Sequence, residues 1–154
     1  MASSTAHLAI NRRPAKARGM ATPGFLSSSL YVALGGALGA WLRHLTGRAW
    51  LAAIGPVAAS AFPWATLTVN LAGSLAMGLL AGWLARHGHG GEGWRLFLAV
   101  GVLGGFTTFS AFSLELAGFI QRGSPGLAAL YAGVSLAGGI AGLFGGLMLA
   151  RAAA

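Results

Sequence analysis

Four apolar stretches, each about 20 residues or slightly longer, constrain the fold of this chain more than any other feature. A helix of about 20 apolar residues crosses the ~30 Å hydrocarbon core of a bilayer. The stretches run approximately from Phe25 to Leu45, Trp64 to Leu84, Trp94 to Ile120 and Leu127 to Ala150. Charged residues make up 8% of the chain, against about a quarter in soluble domains. The sequence predicts an all-α integral membrane protein with four transmembrane helices, multi-pass in the cell inner (plasma) membrane.

The near absence of acidic residues and the absence of cysteine limit the chemistry of the chain. Its two carboxylates, Glu92 and Glu115, do not make a carboxylate-pair hydrolase or an acidic two-metal site. Without cysteine, disulfides, thiol catalysis and thiolate metal sites are excluded. His87 and His89 lie in a glycine-rich loop that carries no cysteine, so they form a poor candidate metal site. The sequence therefore predicts no enzyme.

The chain divides into a basic N-terminal tail, residues 1–24, and a four-helix transmembrane domain, residues 25–151. We expect the tail to be disordered. Its basic residues between Arg12 and Arg18 suit anionic lipid better than a nucleic acid, and we expect no nucleic-acid partner. Met20 stands almost directly before the first span, so a start at Met20 is an alternative to one at Met1.

Glycines recur at four-residue spacing in all four spans. Small residues one helical turn apart let helix backbones approach closely in lipid. This spacing predicts a tightly packed bundle rather than a direct part in transport for most of these glycines. The members are Gly35 and Gly39, Gly78 and Gly82, Gly101 and Gly105, and the series Gly138, Gly142 and Gly146.

The third span departs from the pattern of a plain helix. Paired glycines stand beside three hydroxyl residues in the stretch from Gly101 to Ser110, near the expected membrane midplane. Glycine weakens a helix interior by about 1 kcal/mol, and Thr and Ser compete for backbone hydrogen bonds. We expect a break around Gly104 to Thr107, with a kinked but continuous helix as the alternative. Carbonyls freed by a break must be satisfied by protein, water or an ion.

Three segments together resemble the Fluc fluoride channels, also called CrcB proteins. Their order, the four spans and the chain length match that family, and the resemblance covers roughly residues 30–150. The segments are Gly35-Gly-Ala-Leu-Gly-Ala-Trp-Leu-Arg43, Thr66-Leu-Thr-Val-Asn-Leu-Ala-Gly-Ser74 and Gly104-Gly-Phe-Thr-Thr-Phe-Ser-Ala-Phe-Ser-Leu-Glu115.

The resemblance implies a set of pore residues. By motif position, Asn70 is similar to the pore asparagine of the second span. Phe109 and Phe112 are similar to the phenylalanine pair whose ring edges line the fluoride path. Ser110 resembles a polar pore-lining position, and Ser135 takes that part on the fourth helix, where the match is looser.

The resemblance also implies the assembly. It is an antiparallel, dual-topology dimer with two pores and a structural sodium ion at the dimer interface. Gly104 and Thr107 resemble the residues whose backbone carbonyls hold that sodium, and Arg43 resembles the family's first-helix arginine near a pore vestibule. If two subunits meet at the break about a twofold axis, four carbonyls converge, and such sequestered oxygens suit a hard cation.

Two features depart from the family pattern. Ala111 stands where many relatives carry a hydroxyl, which removes one polar group from the expected track. The first loop, Gly47 to Phe62, is several residues longer than usual, and we do not expect it to alter the pore.

The residue chemistry suits a small, strongly hydrated anion, which needs donors in place of water. The Asn70 side chain supplies two N–H donors, and the hydroxyls of Thr108 and Ser110 supply one each. A phenyl ring has a positive edge, and residues three apart such as Phe109 and Phe112 share a helix face. No fixed cation lies in the middle of a span, and weak dipoles let an anion leave again.

Other interpretations of these residues stay open from the sequence. A phenylalanine pair at this spacing is commonly a packing pair, and a membrane-buried asparagine such as Asn70 is commonly an interhelical hydrogen bond. Arg43 near a helix end is able to extend to the headgroups. Glu115 is the one acidic residue inside a span, either a proton relay or, as we expect, an interfacial or arginine-paired group.

The distribution of basic residues bears on orientation. With four spans, seven basic residues lie on the side of the termini and three on the other side. Such a bias favours a single orientation with cytoplasmic termini, whereas an antiparallel homodimer needs a chain that inserts both ways. A start at Met20 would balance the count, and a homologous subunit of opposite orientation is the alternative partner.

We therefore predict a fluoride-selective channel that exports cytoplasmic fluoride passively and so reduces its toxicity. One alternative is a small proton-coupled exporter, which needs a titratable carboxylate deep in a helix. The other is a non-transporting membrane scaffold subunit, which would tolerate substitution of Asn70 and Phe109. The expected partners are the fluoride ion, the lipid bilayer and a second copy of the chain.

Overall fold

The computed structural model describes residues 24–86 and 92–152. Within these ranges all regular secondary structure is helical, and no strand is present. The helices are α1 (Phe25–Ala61), α2 (Trp64–Arg86), α3 (Glu92–Arg95), α4 (Gly104–Phe106), α5 (Phe109–Gln121) and α6 (Pro125–Ala152), and a π-helical segment (Leu96–Leu103) joins α3 to α4. Four helical stretches are long and apolar enough to cross a membrane: Phe25–Ala61, Trp64–Arg86, Glu92–Gln121 and Pro125–Ala152. The predicted number of spans is confirmed.

Two predictions fall outside the described residues. The basic tail, including Arg12 to Arg18 and the alternative start at Met20, precedes residue 24, where the description begins. The pair His87 and His89 belongs to residues 87–91, which are also outside it.

The first helix is longer than the sequence predicts. We expected a loop from Gly47 to Phe62, but the chain stays helical to Ala61. The residues between Gly47 and Gly55 are mostly good helix formers, and one glycine costs only about 1 kcal/mol. The helix bends at Gly55, whose φ of 76° and ψ of 166° are non-helical. Pro56 then suits the start of the final turns, because its fixed φ is preorganised for a helix.

Glycines mark the places where the helices cross. On α1, a Cβ atom added to Gly39 would lie 2.1 Å from the carbonyl oxygen of Val102. On α2, a Cβ on Gly78 would lie 2.0 Å from the carbonyl oxygen of Leu143. Backbones at such separation leave no room for a side chain. The spaced glycines therefore form the crossings of α1 with the π-helical segment and of α2 with α6.

Gly39→Ala is expected to lower the melting temperature of the detergent-solubilised protein strongly. The methyl group would force the two backbones apart, and overpacking of this kind costs about 1–3 kcal/mol. Gly36→Ala is the matched control, because nothing lies within 4 Å of the Cβ position at Gly36. Thermal unfolding monitored by size-exclusion chromatography compares the two variants. Equal melting temperatures would contradict the close crossing.

The buried interior is small and lies toward one end of the bundle. Its packed cluster consists of Leu67 on α2, Phe119 on α5, and Ala128 and Tyr131 on α6, and Val69 on α2 is buried outside this cluster. Large apolar side chains are exposed on every long helix, as expected of surfaces that face lipid or another subunit. Phe112 on α5 packs against this aromatic interior.

Candidate functional site

Two consecutive residues interrupt the helical backbone of the third apolar stretch. Thr107 has φ −80° and ψ 159°, and Thr108 has φ −152° and ψ 119°, so both are extended between α4 and α5. The Thr108 hydroxyl accepts a hydrogen bond from the backbone N–H of Ala111 at 3.2 Å. Threonine is a preferred N-cap residue, and this contact starts α5. Of the predicted region, Gly104 to Thr107, only Thr107 is extended, because Gly104–Phe106 is helical and Thr108 lies one residue beyond the region.

The extended geometry removes the usual helical donors from two carbonyls. In an α-helix the N–H of residue i+4 donates to the carbonyl of residue i. The N–H of Thr108 donates instead to Asn70 Oδ1 at 2.8 Å, so the Gly104 carbonyl loses that donor. The N–H of Ala111 donates to the Thr108 hydroxyl, so the Thr107 carbonyl loses its donor as well. These two carbonyls are the ones that the resemblance assigns to sodium.

Asn70 on α2 holds the extended backbone in place. Its Oδ1 accepts from the N–H of Thr108, and its Nδ2 donates to the carbonyl of Thr108 at 3.1 Å. The side-chain amide orientation follows from this pair of hydrogen bonds. We counted both N–H groups as donors for an ion, but one of them is committed to Thr108. One N–H remains for a ligand.

A cavity of about 420 Å³ opens beside this clamp, between α2, the extended residues and α6. It brings together four predicted pore residues, Asn70, Thr108, Phe109 and Ser135. The Ser135 hydroxyl oxygen is buried and has no hydrogen-bond partner within the described part of the chain. Because a buried hydroxyl without a partner is costly, this group is positioned to bind something that enters the cavity.

The polar track continues through two neighbouring hydroxyls. The side-chain oxygens of Thr108 and Ser110 are 3.2 Å apart and hydrogen-bonded to each other. Ser110 is not among the residues that line the 420 Å³ cavity. Thr108 therefore connects the cavity to Ser110, which lies on the exposed side of α5.

Phe109 and Phe112 contact each other on one face of α5, as their spacing predicts. Their ring centroids are 5.7 Å apart, with an angle of 37° between the rings. Phe109 is 79% exposed and is therefore not part of the buried interior of this subunit. Phe112 packs against the buried interior and its ring lies 5.1 Å from that of Tyr131.

Glu115 lies one helical turn beyond Phe112 and is bound by two hydroxyl groups. The Thr66 hydroxyl donates to Glu115 Oε1 at 2.7 Å, and the Tyr131 hydroxyl donates to Oε2 at 2.7 Å. Among the described residues no arginine forms an ion pair with Glu115, so the expected arginine pairing is wrong. A carboxyl group removed from water needs donors, and these two hydroxyls supply them.

Thr66 and Tyr131 are functional candidates that we did not identify from the sequence. Both are buried, with exposed fractions of 8% and 0%. One signal was present: a carboxylate within a span requires nearby donors, and Thr66 stands one helical turn before Asn70. Tyr131 carried no comparable signal, because α6 lacks a sharp motif.

Arg43 reaches the extended segment from α1. Its Nη1 lies 3.5 Å from the carbonyl oxygen of Thr107, at the outer limit of a hydrogen bond. A guanidinium here contributes positive charge next to the cavity without entering it, since Arg43 does not line it. Among the described residues, no cluster of His, Asp or Glu is able to hold a metal ion. Any cation here would rely on backbone oxygens.

Comparison with known proteins identifies relatives over most of the chain. The family described as CrcB-like protein, Camphor Resistance (CrcB), matches residues 30–147. A fluoride-specific ion channel FluC from Novosphingobium aromaticivorans is 57% identical over 129 residues, covering 84% of this chain and 100% of the relative. FluC proteins from Hyphomonas neptunium and Sphingopyxis alaskensis are 56% and 52% identical, each covering 82% of this chain and 97% of the relative.

Proposed function

This chain belongs to the CrcB-like protein family, and from that membership we propose how it carries fluoride across the membrane. It is a multi-pass membrane protein of the inner membrane, a fluoride channel and not an enzyme. Relatives named fluoride-specific ion channels match it over more than four fifths of its length. These relatives do not favour the exporter or the scaffold alternative.

The route begins in the 420 Å³ cavity, and the unpartnered Ser135 hydroxyl is the observation that carries it. Fluoride leaving water needs hydrogen-bond donors in place of its hydration shell. The free N–H of Asn70 and the hydroxyl of Ser135 supply such donors within the cavity. The hydrogen bond between the Thr108 and Ser110 hydroxyls extends the polar route from the cavity to Ser110.

Phe109 and Phe112 form the next part of the route. A phenyl ring carries a positive edge, so two rings on one face of α5 stabilise an anion without binding it tightly. Weak binding suits a channel, because the ion must also leave. Glu115 stabilises this part of the route indirectly. Its carboxylate accepts a hydrogen bond from the Tyr131 hydroxyl, and the Tyr131 ring packs against Phe112.

A second copy of the chain in antiparallel orientation completes the pathway in this proposal. Phe109 is 79% exposed in one subunit, although it lines the cavity. A ring at an ion path must be shielded from lipid, and a partner subunit at this face supplies the shield. Two copies related by a twofold axis would then form two pores. A homologous subunit of opposite orientation remains the alternative partner.

In the antiparallel dimer, about half of the subunits carrying Gln121→Cys are expected to react with a membrane-impermeant maleimide. Gln121 is exposed at the end of α5, and the chain has no cysteine of its own. Cells are labelled from outside, and permeabilised cells give the full signal as the control. Labelling of all subunits or of none would contradict dual topology.

The proposed cofactor is a structural sodium ion at the dimer interface. Gly104 and Thr107 would offer it the two carbonyls that lose their helical donors, and the partner would offer the same pair. Four carbonyl oxygens suit a hard monovalent cation that is held rather than conducted. Arg43 stays near the Thr107 carbonyl and, in this proposal, near the pore vestibule.

Removing sodium is expected to destabilise the dimer. A ligand that binds only the folded state raises the free energy of unfolding with its concentration. The melting temperature should be higher by a few degrees in sodium chloride than in the same concentration of N-methylglucamine chloride. Lithium and potassium chloride serve as controls for ionic strength. Equal melting temperatures in sodium and N-methylglucamine would contradict a sodium site.

A further inference from the structure

The chain between the bend in α1 and the start of α2 folds back onto the bundle. We call residues 56–63 the return segment. It begins after Gly55, whose positive φ of 76° redirects the helix, and ends in extended backbone at Phe62. The Phe62 carbonyl accepts from the N–H of Trp64 at 2.9 Å, which joins the segment directly to α2.

Two tryptophans hold the ends of this fold-back together. Trp50, before the bend, stacks on Trp64 with ring centroids 5.6 Å apart and 22° between the planes. The Trp50 indole N–H also donates to the Thr68 hydroxyl at 3.0 Å. The position of Phe62 is therefore fixed from both sides of the bend.

The Phe62 ring lies against the aromatic interior. Its centroid is 4.7 Å from that of Trp64, 5.5 Å from Tyr131 and 6.1 Å from Phe119. The contact with Tyr131 is nearly perpendicular, at 79°, a favoured geometry for an aromatic pair. Phe62 is the one residue of the return segment packed against this cluster.

Tyr131 links Phe62 to the proposed fluoride route. The same Tyr131 ring contacts Phe112 at 5.1 Å, and its hydroxyl donates to Glu115. Tyr131 is fully buried, so its ring moves only if the side chains packed around it also move. A change at Phe62 is thus transmitted to Phe112 through one tightly packed ring.

We propose that Phe62 is a positioning residue for the fluoride pathway, which holds the Tyr131 ring and through it the orientation of Phe112. Phe62 does not line the 420 Å³ cavity and does not contact the ion. The inference rests on the proposed route past Phe112. It assigns a part in conduction to the first loop, which we did not expect from the sequence to alter the pore.

The test measures fluoride efflux per folded dimer in liposomes, together with the melting temperature. Phe62→Ala is expected to reduce efflux about fivefold, the factor that corresponds to losing one aromatic pair of about 1 kcal/mol. Phe62→Leu keeps most of the side-chain volume but lacks the ring, so it should also reduce efflux. It replaces the alanine variant if Phe62→Ala fails to fold. Phe62→Tyr keeps the ring and should retain more than half of the efflux.

Trp94→Leu is the control, because the Trp94 ring contacts that of Phe97 and has no ring contact with Phe62 or Tyr131 among the described pairs. It should leave efflux per folded dimer within about twofold of the parent chain. Equal losses of efflux in Phe62→Ala and Trp94→Leu, an unchanged Phe62→Ala, or a Phe62→Tyr as impaired as alanine would each overturn the proposal. Failure of the parent chain to conduct fluoride would overturn the proposed function instead.

Discussion

Phe109→Ile is expected to reduce fluoride efflux at least about 100-fold while the protein still folds, a change of about 3 kcal/mol in the barrier. Isoleucine keeps an apolar side chain but has no positive ring edge to present to an anion. Since Phe109 is 79% exposed in the subunit, its ring is not needed for the packing of the interior. Loss of efflux would then report on the ion path and not on folding.

The matched control for this variant is Phe144→Ile on α6. Phe144 is also exposed, at 55%, and it does not line the cavity. Efflux through Phe144→Ile should remain within about twofold of the parent chain, as for other surface substitutions. If Phe109→Ile conducts as well as Phe144→Ile, the rings of Phe109 and Phe112 serve only packing, and the proposed fluoride route past them is wrong.

Asn70→Asp is expected to abolish measurable fluoride efflux. The change is nearly isosteric, but it replaces the two amide donors by an acidic group beside the path of an anion. It also removes the hydrogen bond from Nδ2 to the Thr108 carbonyl. The lost donor and the repulsion act together, and leaving a buried carbonyl unsatisfied adds about 1–3 kcal/mol of destabilisation.

Met77→Leu controls for a change within the same cavity. Met77 lines it from α2 and is apolar, and a volume-conserving swap of this kind costs less than about 1.5 kcal/mol. Size-exclusion chromatography and efflux are measured on both variants. An Asn70→Asp channel that is folded and conducts like Met77→Leu would leave Asn70 as an interhelical hydrogen bond only.

Much of the fold was predictable because lipid imposes a simple rule on sequence. Backbone polar groups must be satisfied within each span, so length and hydropathy identify the helices. The crossings at Gly39 and Gly78 were predictable from glycine spacing, because small residues one helical turn apart let backbones approach closely in lipid. The end of α1 was not predictable in this way, because the stretch before Gly55 is a good helix whether or not it lies in the membrane.

The candidate site was predictable where local chemistry forces the geometry. Adjacent glycines and threonines predicted a change of backbone near Thr107, and spacing placed Phe109 and Phe112 on one face. Long-range partners were not predictable from one sequence. The two hydrogen bonds between Asn70 and Thr108, and the Ser135 hydroxyl that finds no partner among the described residues, depend on how α2 and α6 pack.

Glu115 illustrates the limit most clearly. The sequence shows that a carboxyl group lies deep in a span, and electrostatics requires donors for it. Which side chains supply them depends on the register of two other helices, and the structure identifies Thr66 and Tyr131. The contact between Phe62 of the return segment and Tyr131 was likewise not predictable from the sequence, because it requires the bend at Gly55.

The most direct test of the central claim is fluoride efflux from liposomes that contain the purified parent chain, recorded with a fluoride electrode. Chloride-loaded liposomes are the parallel control, and valinomycin with a potassium gradient sets the driving force. The account predicts rapid fluoride release that follows the electrical potential, needs no proton gradient and is absent for chloride. Folded protein that releases no fluoride, or that releases it only with a proton gradient, would contradict it.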